Sequence, residues 1–578
     1  MLRASAAGVA VLAAIAVAYS TIVQKVSCNQ TTHYTLVQSL ADGTTRADRY
    51  WEQTCDLSYI EGHWYAAKGP LLAFLSLPLH VVLDAAGLVP VNVGLGEGWP
   101  KAMETLHPRA IWQLHLLGIV LPTLALLVLF GLVADRFVRG TGLAAAAALG
   151  LGTVMFPFAS DYWAHPLAAA LGFAAFWLLF RERHDRPGRL WLLVAAGAAV
   201  MLAALAEYAT GLLALPLAAY VAVGGPRLRR LGAFALGGLL GAIPHAAYNT
   251  WALGAPHRLT YENWVRHPGV TGHDVIIYEE GIFGIEWPRP RDALELLFEG
   301  RGLLTLTPVL GAAALGLALL YRRGWRAEAL VAAGSFCLVY AYVSGFVEPW
   351  GGISAGPRYL IIGLPFLALG FAAVLAEARV ATVALTLVSI GTMTLATGGE
   401  PMLDSQRSLT WVERWREYFR GGEFPETVVT LATGRSGWLA LTPFLVGVAL
   451  ASTLALVPHL RDARRGAVLT AAAIVGAWAL VPPTAPELLQ GDRRDSSVWG
   501  FFAVLLLGIA LVALCVALHR RSAAAGAGLL LPAVLVPGVA GEAPRVLALG
   551  ALTLALGAAL HAWHRRRLAA PAPLAPPG

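Results

Sequence analysis

The residues of this chain that could do chemistry fall in short, aromatic-rich stretches between long apolar runs. The first stretch reads Gly62-His63-Trp64-Tyr65-Ala66-Ala67-Lys68-Gly69-Pro70-Leu71. It follows five acids, Asp42, Asp48, Glu52, Asp56 and Glu61, and it contains Lys68, one of three lysines among 42 basic residues. A carboxylate can accept the proton of an attacking hydroxyl. A fixed ammonium can stabilise negative charge developing on a departing phosphate. Asp48 and Asp56 are therefore catalytic candidates, Lys68 is a phosphate contact, and His63 and Tyr65 are candidate ligand contacts. At a membrane surface a lysine also serves as a snorkelling headgroup anchor, so its rarity alone does not decide between the two roles.

Four further positions carry the same chemistry. Asp161 and His165 stand four residues apart in Ser160-Asp161-Tyr162-Trp163-Ala164-His165-Pro166 and share a face if that turn is helical. Asp161 joins the catalytic candidates and His165 the binding ones. Glu207 and Tyr208 sit between two apolar runs, where a carboxylate is costly unless it is paired or lines a wet cavity; a short hydrated turn is the plainer alternative. Arg301 opens one apolar run. Arg358 opens another, after Trp350-Gly351-Gly352-Ile353-Ser354-Ala355-Gly356-Pro357. Glycines there let the backbone approach a ligand, and a planar guanidinium suits a phosphate, whether of a substrate or of a membrane lipid.

These side chains need a scaffold, and the composition says which kind. Of 578 residues 57% are hydrophobic and 13% charged, against roughly 25% charged in soluble domains. A soluble globule is excluded. Apolar runs of about 20 residues predict a polytopic helical membrane protein, with spans near 4–23, 111–134, 141–159, 165–180, 190–206, 208–223, 231–248, 303–321, 327–345, 359–376, 380–397, 437–457, 466–484, 499–518, 528–541 and 546–563. The fold expectation is all-α, with about 16 transmembrane helices.

Arginine-rich turns fall on every second connection, from Arg136/Arg139 to Arg565/Arg566/Arg567. The positive-inside rule then puts both termini in the cytoplasm of a bacterial-type plasma membrane. On that topology the cytoplasmic side carries 22 basic and 6 acidic residues, and the net charge of +7 divides into +16 inside and −9 outside. Reading 70–89 as a further span would invert every later turn. Pro78, His80 and Asp84 interrupt it, so it is expected to lie along the outer interface. Three long outer segments remain, 24–110, 249–302 and 398–436, and the candidate chemistry is extracytoplasmic.

Cys28 and Cys55 both fall in the first outer loop, on the oxidising side, where a disulfide would close it. Cys337 and Cys515 fall inside predicted spans and read as core residues. No CxxC, HExxH or acid cluster of ligand spacing marks a metal site. A divalent cation is compatible with the chemistry but has no ligand motif, and no other cofactor is implied. Phosphate-binding glycine loops are absent as well, and no nucleic-acid partner is expected.

Acids, aromatics and isolated cations above apolar helices suit a lipid-linked phosphosugar. Nucleotide sugars are not available outside the cell, so the activated donor would be a polyprenyl phosphate. The acidic first loop, the Gly62 to Leu71 stretch with Lys68, Asp161 after the third span and the large loop after the seventh resemble the GT-C superfamily of integral membrane glycosyltransferases. The likeness is to the protein O-mannosyltransferase and lipid A aminoarabinose transferase group, over roughly residues 1–370. It implies interfacial helices in the first loop, a polyprenyl-phosphate sugar donor, inverting transfer to a lipid, glycan or protein acceptor, and a carboxylate base in that loop. Residues 1–370 would form the catalytic membrane module and 371–578 a C-terminal helical region of unknown role. In those relatives an acid pair directly follows the first span, whereas this chain has Cys28-Asn29-Gln30-Thr31-Thr32-His33. The base role therefore passes to Asp48 or Asp56, and Asp161 matches the second acid. Two other classes share many of these features: a transporter or flippase of lipid-linked sugars, and a non-catalytic membrane scaffold.

Overall fold

The computed structural model describes residues 6–261, 264–266, 284–299, 301–352, 354–402, 411–461 and 463–479. The predicted spans 499–518, 528–541 and 546–563, the end of 466–484, and Cys515 lie outside the described residues.

Helices dominate. Among the described residues six are long and apolar enough to cross a membrane: Arg109–Phe137, Ala164–His184, Arg227–Leu253, Arg326–Ser344, Arg379–Gly398 and Trp438–Leu460. Two bent pairs, Asp292–Leu306 with Val309–Arg322 and Arg358–Ala368 with Phe371–Glu377, bring the number to eight if each is one span. Shorter apolar helices, Ala6–Thr21, Gly142–Leu151, Leu190–Ala206 and Tyr208–Ala222, occupy four other predicted positions. Leu236, Leu239, Leu240 and Ile243 of Arg227–Leu253 all face outward, a run of exposed apolar side chains that suits lipid rather than water. The chain is a helical membrane protein.

The interruptions have local causes. The run predicted over 141–159 breaks after Leu151 at Gly152 and resumes at Met155, whose amide donates to the Thr153 hydroxyl at 3.2 Å. Pro308 separates Leu303–Leu306 from Val309–Arg322, since it has no amide to continue the ladder. The break before Phe371 lies at Gly370, whose backbone packs directly on Gly316: a Cβ on Gly316 would fall 1.9 Å from the Gly370 carbonyl oxygen.

Helices from either side of residue 370 pack together. Ala6–Thr21 packs along Trp438–Leu456, where a Cβ on Gly447 would meet the Ala14 carbonyl at 2.7 Å. Phe156 stacks on Phe444 with ring centres 5.7 Å apart.

The first long loop is ordered by local signals. Cys28–Ala41 and Leu71–Ala85 are helices; the second runs through Pro78 without a break and, at 15 residues, belongs with the shorter apolar helices. Between them lies a feature the all-α expectation missed. Strands β1 (Asp56–Ile60) and β2 (His63–Ala66) pair antiparallel through the two-residue turn Glu61-Gly62, both at positive φ, as the tightest hairpins require. The second long loop supplies β3 (Trp264–Arg266) to the other edge of β1, giving the order β2-β1-β3. The alternation Leu57-Ser58-Tyr59-Ile60, turn, His63-Trp64-Tyr65-Ala66 was the available signal.

Candidate functional site

Asp56 heads β1, and Lys68 stands just beyond β2, so the hairpin brings residues twelve apart in sequence side by side. Lys68 Nζ lies 2.6 Å from Asp56 Oδ2, and both side chains are about nine-tenths buried. The Cys28–Cys55 disulfide ties the start of the helix Cys28–Ala41 to the residue before Asp56. Thr54 reinforces the tie by donating to the Cys28 carbonyl at 2.9 Å. From the second loop, Tyr261 places its ring 5.6 Å from the Lys68 ammonium.

Gly69 then decides what Lys68 faces. A Cβ here would lie 2.4 Å from the Leu205 carbonyl oxygen and 2.6 Å from that of Ala206. Only glycine lets this loop rest directly on the end of Leu190–Ala206, and the next residue of that chain is Glu207. Glu207 Oε1 lies 3.4 Å from His165 Nδ1, where Ala164–His184 begins. Burial pushes the Glu207 carboxyl up to about 7, against the opposing pull of Lys68 and Arg358.

Arg358 enters from the later turn. Its guanidinium lies 4.6 Å from the Trp163 ring centre and 5.2 Å from that of Tyr359. Gly351, at φ +71°, leaves it room, since a Cβ there would come within 2.5 Å of Arg358 Nε. Arg301 packs over Trp350 at 4.4 Å and donates to the Gly352 carbonyl at 2.9 Å, close enough to Arg358 to feel its charge. Lys68 and Arg358 both act electrostatically on Glu207 and on His165. Tyr208 flanks this group, stacked on His245 with ring centres 5.2 Å apart and set edge-on to Tyr261 at 5.3 Å. Four separate stretches of sequence thus supply one buried group of ionisable side chains: Asp56 and Lys68 from the hairpin, His165, Glu207 and Arg358. Tyr65 is buried in the hairpin beneath it.

Three expectations need correction. Asp48 does not join this group. Its oxygens accept from the Trp64 amide at 2.8 Å and contact His63 Nδ1 at 2.8 Å, and both side chains are more than a third exposed. Asp48 and His63 brace the outside of the hairpin. Cys337, expected in the core, is exposed on Arg326–Ser344. Asp161 is deeply buried but stands behind Trp163: it accepts from Trp163 Nε1 at 2.9 Å, from the Tyr162 amide at 2.7 Å and from Gln30 Nε2. Burial raises its carboxyl to about 6 despite these donors. With its donors already in place, Asp161 supports the Trp163 ring that carries Arg358.

Two participants escaped the sequence reading. His33 is fully buried with neither ring nitrogen hydrogen-bonded. Burial first, then Lys68, holds its imidazole down to about 3, so it is neutral. Gln30 accepts the Ser27 amide at 2.6 Å while its amide group reaches Asp161. Both lie on one face of Cys28–Ala41, three residues apart; the acid-free segment hid a buried polar stripe. Among the described residues no three His, Cys, Asp or Glu side chains converge as metal ligands.

An apolar cavity of about 560 Å³ lies between Val309–Arg322 and Arg326–Ser344, its lining reaching from Leu297 and Leu303 to Tyr321 and Arg322. No protein-family model matches the chain, and no curated protein matches it.

Proposed function

We propose that the protein is a GT-C-type membrane glycosyltransferase, moving a sugar from a polyprenyl-phosphate donor to a hydroxyl acceptor on the extracytoplasmic face, with both termini in the cytoplasm. The observation that carries this reading is the convergence of two buried cations on the Glu207–His165 pair: Lys68 through the rest of Gly69 on Leu205 and Ala206, and Arg358 through Tyr359, whose ring lies 5.2 Å from the guanidinium and 5.6 Å from the His165 ring. Two cations desolvated together suit a phosphate that gains charge as its bond to the sugar breaks.

The remaining features fit the same ligand. Aromatic faces from Trp163, Tyr208, Tyr261 and Tyr359 border the charged group and suit a sugar ring. The apolar cavity lined by Leu297 and Leu303, residues close to Arg301 in sequence, would take a prenyl chain. Orientation follows from the arginine-rich turns.

The test is transfer by the purified full chain from a panel of polyprenyl-phosphate hexoses and aminopentoses to membrane lipid, glycan and protein acceptors. Lys68→Met and Arg358→Met should each lower transfer by about 10²–10³-fold, the scale of removing one charge-stabilising group. Transfer that survives both substitutions would sink the phosphate assignment.

A further inference from the structure

We propose that Glu207 and His165 form the acid–base pair of this site, the Glu207 carboxylate taking the proton of the attacking hydroxyl while His165 Nδ1–H holds Oε1 in place. The inference rests on the transfer reading above and names the base that reading lacks. The two side chains come from different spans and meet at 3.4 Å, with His165 2% and Glu207 13% exposed. Neither Glu207 Oε1 nor either His165 ring nitrogen has a hydrogen-bond partner, so the 3.4 Å approach is a contact that a small shift would close into a bond. A buried carboxylate without its full set of donors is destabilising unless something else uses it.

The other acids are committed. Asp48 is on the surface with His63. Asp56 is bound to Lys68 at 2.6 Å. Asp161 already accepts from Gln30, Trp163 and Tyr162. Among the described acids Glu207 alone combines burial, an oxygen without a hydrogen-bond donor, and proximity to both cations. Its carboxyl, raised to about 7 by burial, suits proton transfer near neutral pH, because a base works best when its pKa is close to the operating pH.

In the step itself the acceptor oxygen bonds to the anomeric carbon as the carbon–oxygen bond to phosphate breaks. The electron pair of that bond stays on the phosphate oxygen, beside Lys68 and Arg358, and polyprenyl phosphate leaves. The hydroxyl proton passes to Glu207, which returns it to solvent after release. The charged and titratable groups around the pair are Lys68, Asp56, His33, Arg358, Tyr208 and Tyr342, with the Tyr359 ring 5.6 Å from that of His165.

The experiment is the pH profile of transfer by the full chain. The parent should show a limb that rises with pH through about 7, as Glu207 loses its proton. Glu207→Gln should lower transfer by about 10²–10⁴-fold, the usual contribution of a general base, and abolish the limb. Glu207→Asp should keep the limb at a reduced rate. His165→Phe should move the limb to higher pH by removing a donor to the carboxylate, and His165→Gln, which can still donate, should move it less. Glu207→Gln retaining parental transfer, or Asp56→Asn abolishing the limb instead, overturns the pair and leaves the transfer reading standing. Absence of transfer by the parent overturns the transfer reading and this inference together.

Discussion

The helix Ala164–His184 carries a buried charge cluster at each end, some 28 Å apart by helical rise, and the two clusters are built on opposite principles. At the arginine-rich end every acid has its own partner. Glu182, fully buried, is gripped by Arg230 through both carboxylate oxygens at 2.7 Å. Glu328 accepts from His184 at 2.8 Å and Tyr220 at 2.7 Å, with Arg183 at 3.6 Å. Asp185 meets Arg136 at 3.1 Å. These bonds join four or more helices at fixed positions. At the other end Lys68, Glu207, His165, His33 and Arg358 converge, and both ring nitrogens of His33 and of His165, Glu207 Oε1 and Arg358 Nε lack hydrogen-bond partners, against only Glu182 Oε2, which still meets Arg230, and Arg183 Nη1 among the groups named at the arginine-rich end. Paired charge locates helices, whereas incompletely paired buried charge is tolerated where a ligand completes it.

That contrast can be broken by experiment. The largest effect belongs to the paired cluster. Arg230→Ala leaves Glu182 buried without its cation and should cost about 3–5 kcal/mol of stability. Thermal unfolding in detergent reads that loss, while transfer per folded molecule stays at the parental level. A loss of transfer without a loss of stability would mean the two clusters are not separate in role.

Next in size is a pH effect at Asp161. Its folded carboxyl is raised from 3.8 to about 6, so the protonated form is the one the fold favours. The associated stability is fully present below about pH 4 and is lost as pH rises through about 6, a span worth about 3 kcal/mol at 1.36 kcal/mol per unit. Asp161→Asn, which holds the neutral form, should flatten the curve of unfolding temperature against pH over that window. An unchanged curve would remove Asp161 from the buried support of Trp163.

The smallest effect is expected at Asp48. Asp48→Asn should change stability by less than about 0.5 kcal/mol, as exposed substitutions do, and leave transfer unaltered. A marked fall in transfer would return Asp48 to the site and show that the hairpin moves when ligand binds.

The sequence marked a helical membrane protein because a 20-residue apolar run has few physical alternatives, though only six to eight of the described helices are long enough to span. It singled out Glu207 because a carboxylate between apolar runs is costly, Lys68 as one of three lysines, and Arg358 as a guanidinium opening a helix. It misplaced Asp48, since spacing along a loop does not say which side of a hairpin an acid occupies. It passed over His33 and Gln30, since a polar stripe on a short helix looks ordinary until the rest of the fold buries it. The Cys28–Cys55 bridge was legible as a pairing, but not as the tie that holds Asp56 against a helix.

Composition, the apolar runs and the arginine spacing thus determine by themselves a helical membrane protein and its candidate ionisable residues, because these follow from local chain chemistry and the solvent. Which of those residues meet was decided by tertiary structure alone. The close rest of Gly69 on Leu205 and Ala206, the seating of Arg358 over Trp163 and the meeting of His165 with Glu207 are contacts between distant segments. Their energies depend on distances that no local pattern in the chain specifies.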